Sequence, residues 1–243
     1  PSSAASDVYK RQDLNQVFQE AANELDVEKE PVIGHLRRLG VPEGAQIVGC
    51  VGRLVYLKGL DLFVEAAERL VPCFPNWVFV IKGDGPMRET LKSMIKEKGL
   101  TGRVFLFTGE LDPKHMPALY CCFDIFALPT RREGFGMVFA EAMAMGVCVV
   151  APRIAPVTEV VPEDCGVLVE PEDADALANA IGELMADADL RAKLAMRGKA
   201  HALSTWCGRK AAERVIDVYR ELVLTQVNGK RRGGFTSARH SHL

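Results

Sequence analysis

Six short apolar runs recur along the chain, at Gln46–Val51, Val78–Ile81, Val104–Phe107, Ile125–Leu128, Val147–Val150 and Val167–Val169. Little inside them is polar, so they do not alternate as strands with one wet face would. Between them lie stretches of helical period. Gly59–Val71 puts Leu60, Phe63, Val64, Ala67 and Leu70 on one face, and Pro86–Lys98 does the same with Met87, Leu91, Met94 and Ile95. Lys114–Tyr120, Gly136–Met145 and Ala174–Ala186 continue the pattern, and Asp189–Leu203 and Cys207–Leu224 follow as two further helical stretches. Near-continuous apolar strands separated by amphipathic helices require a parallel sheet covered on both faces.

The fold class read from this alternation is α/β: a Rossmann-like parallel sheet with helices on both faces, over residues 46–224. Residues 13–45 read as a linker leading into the first strand. Residues 1–12 are small and polar without periodicity, and are expected to be a disordered or artefactual lead. The stretch 225–243, with Gly229-Lys230-Arg231-Arg232-Gly233-Gly234, reads as a disordered basic tail. On composition it is a solvated terminus, with phosphate or membrane contact as the alternative.

A formal net charge of −2 leaves no overall field to draw the molecule to nucleic acid or an anionic membrane, so anion binding must come from a local site. The seven cysteines are odd in number and include no CxxC pair, and several sit inside apolar runs. This favours buried thiols in a reducing compartment over a disulfide framework or zinc site. No run approaches the roughly eighteen apolar residues that span a bilayer. The expected location is cytoplasmic, with any membrane contact peripheral.

In such sheets ligands bind beyond the carboxyl ends of the strands, and the chemically distinctive residues fall there. After the first run come Gly52-Arg53-Leu54 and then Lys58-Gly59. An arginine fork and a mobile lysine charge suit an anion, though taken alone both are as readily solvated surface charges. The second run leads into Gly83-Asp84-Gly85-Pro86. Two glycines of a GxGxxG are present, but Arg88 holds the third position and the motif sits at the second strand, so a tight turn into a helix explains it better than dinucleotide binding. The fourth run leads into Glu133-Gly134-Phe135-Gly136 and a helix carrying Glu141. The glycines expose backbone N–H groups at a helix N-terminus, where anions are favoured. Glu141 stands in an otherwise apolar helix, where an unpaired charge is costly. Two ribose hydroxyls are one natural partner for it; an internal salt bridge is the other reading.

In that order, Gly52-Arg53-Leu54…Lys58-Gly59, Gly83-Asp84-Gly85-Pro86 and Glu133-Gly134-Phe135-Gly136…Glu141-Ala142-Met143-Ala144…Gly146 resemble the C-terminal, donor-binding domain of the group 1 glycosyltransferases, retaining enzymes of family 4 with two Rossmann domains (the GT-B type). The Glu-x7-Glu signature is intact, and the likeness spans roughly Asp13 to Leu224. The resemblance implies a nucleotide diphosphate sugar as donor. Arg53 and Lys58 would hold its diphosphate, with Gly52 and Gly83 beside them. The N–H groups of Phe135, Gly136, Met137 and Val138 would meet phosphate or sugar. Glu133, with Gly134, would face the transferred sugar, Glu141 the ribose, and Gly109-Glu110-Leu111 the base. Glu133, Arg53 and Lys58 would carry catalysis, without metal or cofactor.

Two departures from the family stand out. Pro152-Arg153-Ile154-Ala155-Pro156 replaces the small, glycine-rich loop that normally approaches the sugar. The residues before the first strand are expected to hold no counterpart of the family's N-terminal acceptor domain or of its sugar-contacting histidine. His35, His115 and His201 read as surface residues, and the chain is expected to be a fragment inactive alone. The acceptor could be a glycan, lipid or small molecule. Asp173-Ala174-Asp175 and Asp187-Ala188-Asp189 spell the metal-binding D-x-D of other glycosyltransferases, but both fall at helix starts, where aspartates cap. A non-catalytic nucleotide-sugar-binding module and a sugar-nucleotide epimerase remain the rival readings.

Overall fold

The computed structural model describes residues 29–205 together with Phe18, Glu20 and Ala21. The expected helix over Cys207–Leu224, the lead over 1–12 and the tail from 225 lie outside the described residues.

The six apolar runs are six strands: β1 (Gln46–Val51), β2 (Trp77–Lys82), β3 (Val104–Phe107), β4 (Ile125–Ala127), β5 (Cys148–Pro152) and β6 (Val167–Val169). All pair in parallel, in the order β3-β2-β1-β4-β5-β6. Every residue of β2 and of β5 is buried, as strands covered on both faces must be. The helices are α1 (Glu30–Leu39), α2 (Leu60–Leu70), α3 (Arg88–Glu97), α4 (Met116–Tyr120), α5 (Met137–Ala144), α6 (Val157–Val160), α7 (Ala174–Ala186) and α8 (Ala188–Thr205). Helix α2 packs on α7, α5 packs on α8, and edge-on ring pairs such as Phe63–Phe79 and Phe126–Phe139 join helices to strands.

Several local expectations change. Helix α1 lies within the stretch read as linker. Val32 and Leu36 bury one narrow stripe, Pro31 sits in the first turn, and Gly40 closes the helix in a left-handed conformation. Pro86 and Met87 belong to the turn before α3 rather than to the helix. The histidines reach the surface only in part: His35, His115 and His201 are each partly buried, and the His35 ring stacks on Phe107 with centroids 5.6 Å apart. Imidazole has an apolar face that such packing uses. Of the cysteines, Cys50, Cys148 and Cys165 are buried, Cys121 and Cys122 partly so, while Cys73 is exposed.

The capping reading of the D-x-D spellings holds. Asp173 Oδ1 accepts from the N–H groups of Asp175 and Ala176 at 2.9 and 2.8 Å, and Asp187 Oδ1 accepts from Leu190 N–H at 2.8 Å. Among the described residues, no helix is long and apolar enough to cross a membrane.

The strand order fixes where a ligand would sit. From β1 the chain winds outward through β2 to β3, then returns to β4 on the other side of β1 and winds outward again. The carboxyl ends of β1 and β4 therefore flank a switch point, the crevice that open α/β sheets use for ligands.

Candidate functional site

Two loops meet at the switch point, and close backbone approach holds them together. After β1, Gly52 N–H donates to Lys82 C=O at 3.0 Å, Leu54 N–H to Asp84 C=O at 2.9 Å, and Met87 N–H to Leu54 C=O at 2.9 Å. A Cβ on Gly83 would stand 1.9 Å from the Gly52 oxygen. The Gly83-Asp84-Gly85 turn is thus a buttress for the Arg53 loop, as a tight turn should be. Tyr56–Lys58 then forms one 3-10 turn, and Gly59, at φ +65°, redirects the chain into α2.

From β4, Thr130 is fully buried, with Oγ1 2.9 Å from the carbonyls of both Leu57 and Arg132. Arg131 N–H donates to the same Leu57 carbonyl at 2.8 Å. The Arg131 guanidinium grips Asp61 through two bonds of 2.8 and 2.7 Å, donates to Tyr56 C=O at 2.8 Å, and lies 4.0 Å from the centroid of the Tyr56 ring. Arginine's planar fork suits this combination of bidentate pairing and stacking. Arg131 is therefore a clamp between the two loops rather than a free cation, and no local sequence signal marks it, because Asp61 lies 70 residues away.

The clamp brings Lys58 and Glu133 together. The Lys58 stem runs beside Gly52, and its Nζ donates to Glu133 Oε2 at 2.6 Å. Both side chains are largely buried, 20% and 13% exposed. Arg53 is exposed on the same loop, and among the described residues no hydrogen bond or ion pair engages its side chain. Gly134 and Phe135 are exposed beyond Glu133. Gly136, at φ +93°, opens α5, and no side chain caps that end. The first N–H groups of a helix have no partner within it, which leaves those of Met137 and Val138 without an intrahelical acceptor.

Glu141, in the second turn of α5, has an internal partner, which is not the cation of the expected salt bridge but a hydroxyl. The buried Tyr120 hydroxyl donates to its Oε2 at 2.8 Å. Burial pushes the Glu141 carboxyl above its usual range, and the Tyr120 bond offsets this only in part. A raised native pKa contributes stability below the unfolded pKa that is lost as pH rises through the folded one. Glu141→Gln keeps the shape and the acceptor but does not ionise. Its stability relative to wild type is expected to rise across a window opening at the usual glutamate pKa and closing at the raised one, then level off. Urea unfolding at several pH values checks this; a constant difference would refute it.

The remaining expected residues are also placed. Gly109 and Glu110 are exposed in the loop after β3, with Leu111 packed on the core. Arg153, in the departing loop, pairs with Glu163 at 2.5 Å and Glu170 at 3.9 Å. A cavity of about 330 Å3 opens at the opposite, amino edge of the sheet, beside Ala45, Ile47 and Cys121, and none of the candidate residues line it.

Comparison with known proteins decides the lineage. The family described as "Glycosyl transferases group 1" matches residues 35–201. The chain belongs to this family. Over 195 residues it is 33% identical to the lipopolysaccharide core biosynthesis mannosyltransferase LpsB of Rhizobium meliloti, a match covering 77% of this chain and 55% of that protein. Among solved structures, the C-terminal domain of the group 1 family protein LpcC from Francisella tularensis aligns with a TM-score of 0.67 at 25% identity, covering 77% of this chain and 97% of that one. Anabaena HepE in complex with UDP aligns with a TM-score of 0.67 at 26% identity, covering 79% of this chain and 54% of that one. The chain spans about half the length of the curated relatives it matches. Its sheet is the Rossmann-like half of a GT-B glycosyltransferase fold.

Proposed function

We propose that the chain is the donor-binding domain of a retaining glycosyltransferase, and that it holds a nucleotide diphosphate sugar at the switch point. The observation that carries this reading is the contact between Lys58 and Glu133, from two loops 75 residues apart, beside an exposed and unengaged Arg53. Arg53 and Lys58 grip the diphosphate, aided by the N–H groups at the start of α5, and stabilise the charge that develops as it departs. Glu133 faces the transferred sugar, Glu141 the ribose, and residues 109–111 the base. HepE, a relative by fold and sequence, is known with UDP bound, which supports a nucleotide donor here.

In this reading no metal or cofactor takes part, since two cations and a helix N-terminus meet the diphosphate charge. The acceptor, whether glycan, lipid or small molecule, is bound by a separate N-terminal domain of the longer enzyme. The domain acts in the cytoplasm, with membrane contact no more than peripheral. Alone it binds donor without turning it over, because the cleft needs its second wall.

The test is calorimetric titration of wild type and Arg53→Ala with UDP-, GDP- and ADP-sugars. Bonds to a charged group contribute about 1.5–3 kcal/mol each. Arg53→Ala is therefore expected to weaken the preferred donor by at least about tenfold, or ~1.4 kcal/mol. Unchanged affinity would remove Arg53 from the site.

A further inference from the structure

Lys82 is the last residue of β2 and the one charged residue in that strand, yet it is only 7% exposed. A buried ammonium is costly unless its protons are met. Its Nζ donates to the Gly109 carbonyl at 2.5 Å and lies 4.5 Å from the centroid of the Phe107 ring. Burial lowers its pKa, against the opposing pull of Asp84. The diphosphate site described above makes no use of this lysine.

What the bond holds is the backbone of the loop after β3. Gly109 is exposed, has φ +92° and has open space around its Cβ position, so packing does little to fix it. Glu110 is exposed as well, and Leu111 packs on the core only partly. The sheet order adds a direction. Lys58 and Arg53 follow β1, whereas Gly109 follows β3, two strands along the same carboxyl edge. At a strand spacing of 4.7–4.9 Å, that offset is roughly 10 Å. A nucleoside diphosphate gripped at β1 by its phosphates, and extended along the edge over β2, would bring its base to the Lys82-held loop.

We infer that Lys82 is a positioning residue which fixes the Gly109–Leu111 backbone for the nucleotide base, so that it governs how tightly the base, and not the diphosphate, is held. This rests on the donor-domain reading. Methionine at position 82 would retain most of the apolar stem but leave the Gly109 carbonyl free to turn to solvent.

The experiment titrates the wild-type chain and Lys82→Met with UDP, GDP, ADP and inorganic pyrophosphate, and follows amide hydrogen exchange in the free proteins. Lys82→Met is expected to weaken the tightest nucleotide by at least roughly fivefold while changing pyrophosphate by less than about twofold. Exchange across residues 109–112 should quicken while β1 and β2 stay protected. Equal losses for nucleotide and pyrophosphate would make Lys82 a general structural residue and overturn the inference, as would unchanged nucleotide affinity or unchanged loop exchange. Wild type that binds none of the nucleotides overturns the donor reading and this inference with it. Wild type that binds one, with Lys82→Met binding it equally well, overturns the inference alone. Should Lys82→Met not fold, Lys82→Gln carries the same comparison, and failure of both to fold assigns Lys82 to the core instead.

Discussion

Gly59→Ala is expected to lower the melting temperature by roughly 6–12 °C and to disable the candidate site along with it. The added Cβ would stand 1.9 Å from the Pro129 carbonyl oxygen and 2.9 Å from its carbon. Both are backbone atoms, so no side-chain rotation relieves the contact and the loops must part. Separation breaks the bonds that Arg131 N–H and Thr130 Oγ1 make to Leu57 C=O, each worth about 1 kcal/mol. Alanine at φ +65°, in the left-handed region, adds about 1 kcal/mol of backbone strain, the low end of the range for such conformations. Together these come to about 3 kcal/mol, and for a domain of this size each kcal/mol moves the midpoint by about 2–4 °C. Gly102→Ala is the control, because Gly102 has a similar φ of +79° and nothing within 4 Å of its Cβ position. It isolates the backbone cost, and its melting temperature should fall by no more than about half as much. Equal shifts for the two variants would show that the approach to Pro129 matters little.

The strands were legible because β2 and β5 are buried along their whole length, and full burial leaves an uninterrupted apolar signature. Helix α1 was not, because only Val32 and Leu36 of its ten residues are buried, and two apolar positions four apart are too sparse a stripe to separate from a linker. The strand order is equally absent from the alternation, which demands a parallel sheet without saying that β4 returns beside β1. The site divides along the same line. Gly59 and Gly136 announce left-handed turns by their type, and Asp173 and Asp187 announce caps by their position. Lys58 and Glu133 were linked only through the family resemblance, since nothing in their spacing says that they touch. Tyr120 read as one more apolar residue of a helix, though its hydroxyl is the internal partner of Glu141. Lys82 stood just past the end of an apolar run, and Arg131 among other loop charges. Each of the last three is a long-range polar contact in a mostly apolar setting, and periodicity does not register such contacts.

Lys58→Met should weaken binding of the preferred nucleoside diphosphate by roughly 50- to 100-fold, more than loss of Arg53. Two effects act in the same direction. The variant removes a charged donor to the diphosphate, worth about 1.5–3 kcal/mol. It also strips the partner from Glu133, whose carboxylate is 13% exposed and bonded to Lys58 at 2.6 Å, leaving an uncompensated negative charge beside an arriving anion. Arg53 is exposed and leaves no such orphan when removed, so its loss costs the first effect alone. The two contributions separate in a double-mutant cycle. Glu133→Gln alone should tighten binding of the bare diphosphate, by freeing Lys58 and removing a repelling charge. Lys58→Met/Glu133→Gln should recover part of what Lys58→Met loses, giving a coupling of about 0.5–3 kcal/mol between positions in direct contact. Titration of the four proteins with UDP, GDP and ADP at fixed salt measures all the terms. Strict additivity would mean that Glu133 never feels the diphosphate, and that the ion pair between the loops is a brace for the fold rather than one wall of a donor site.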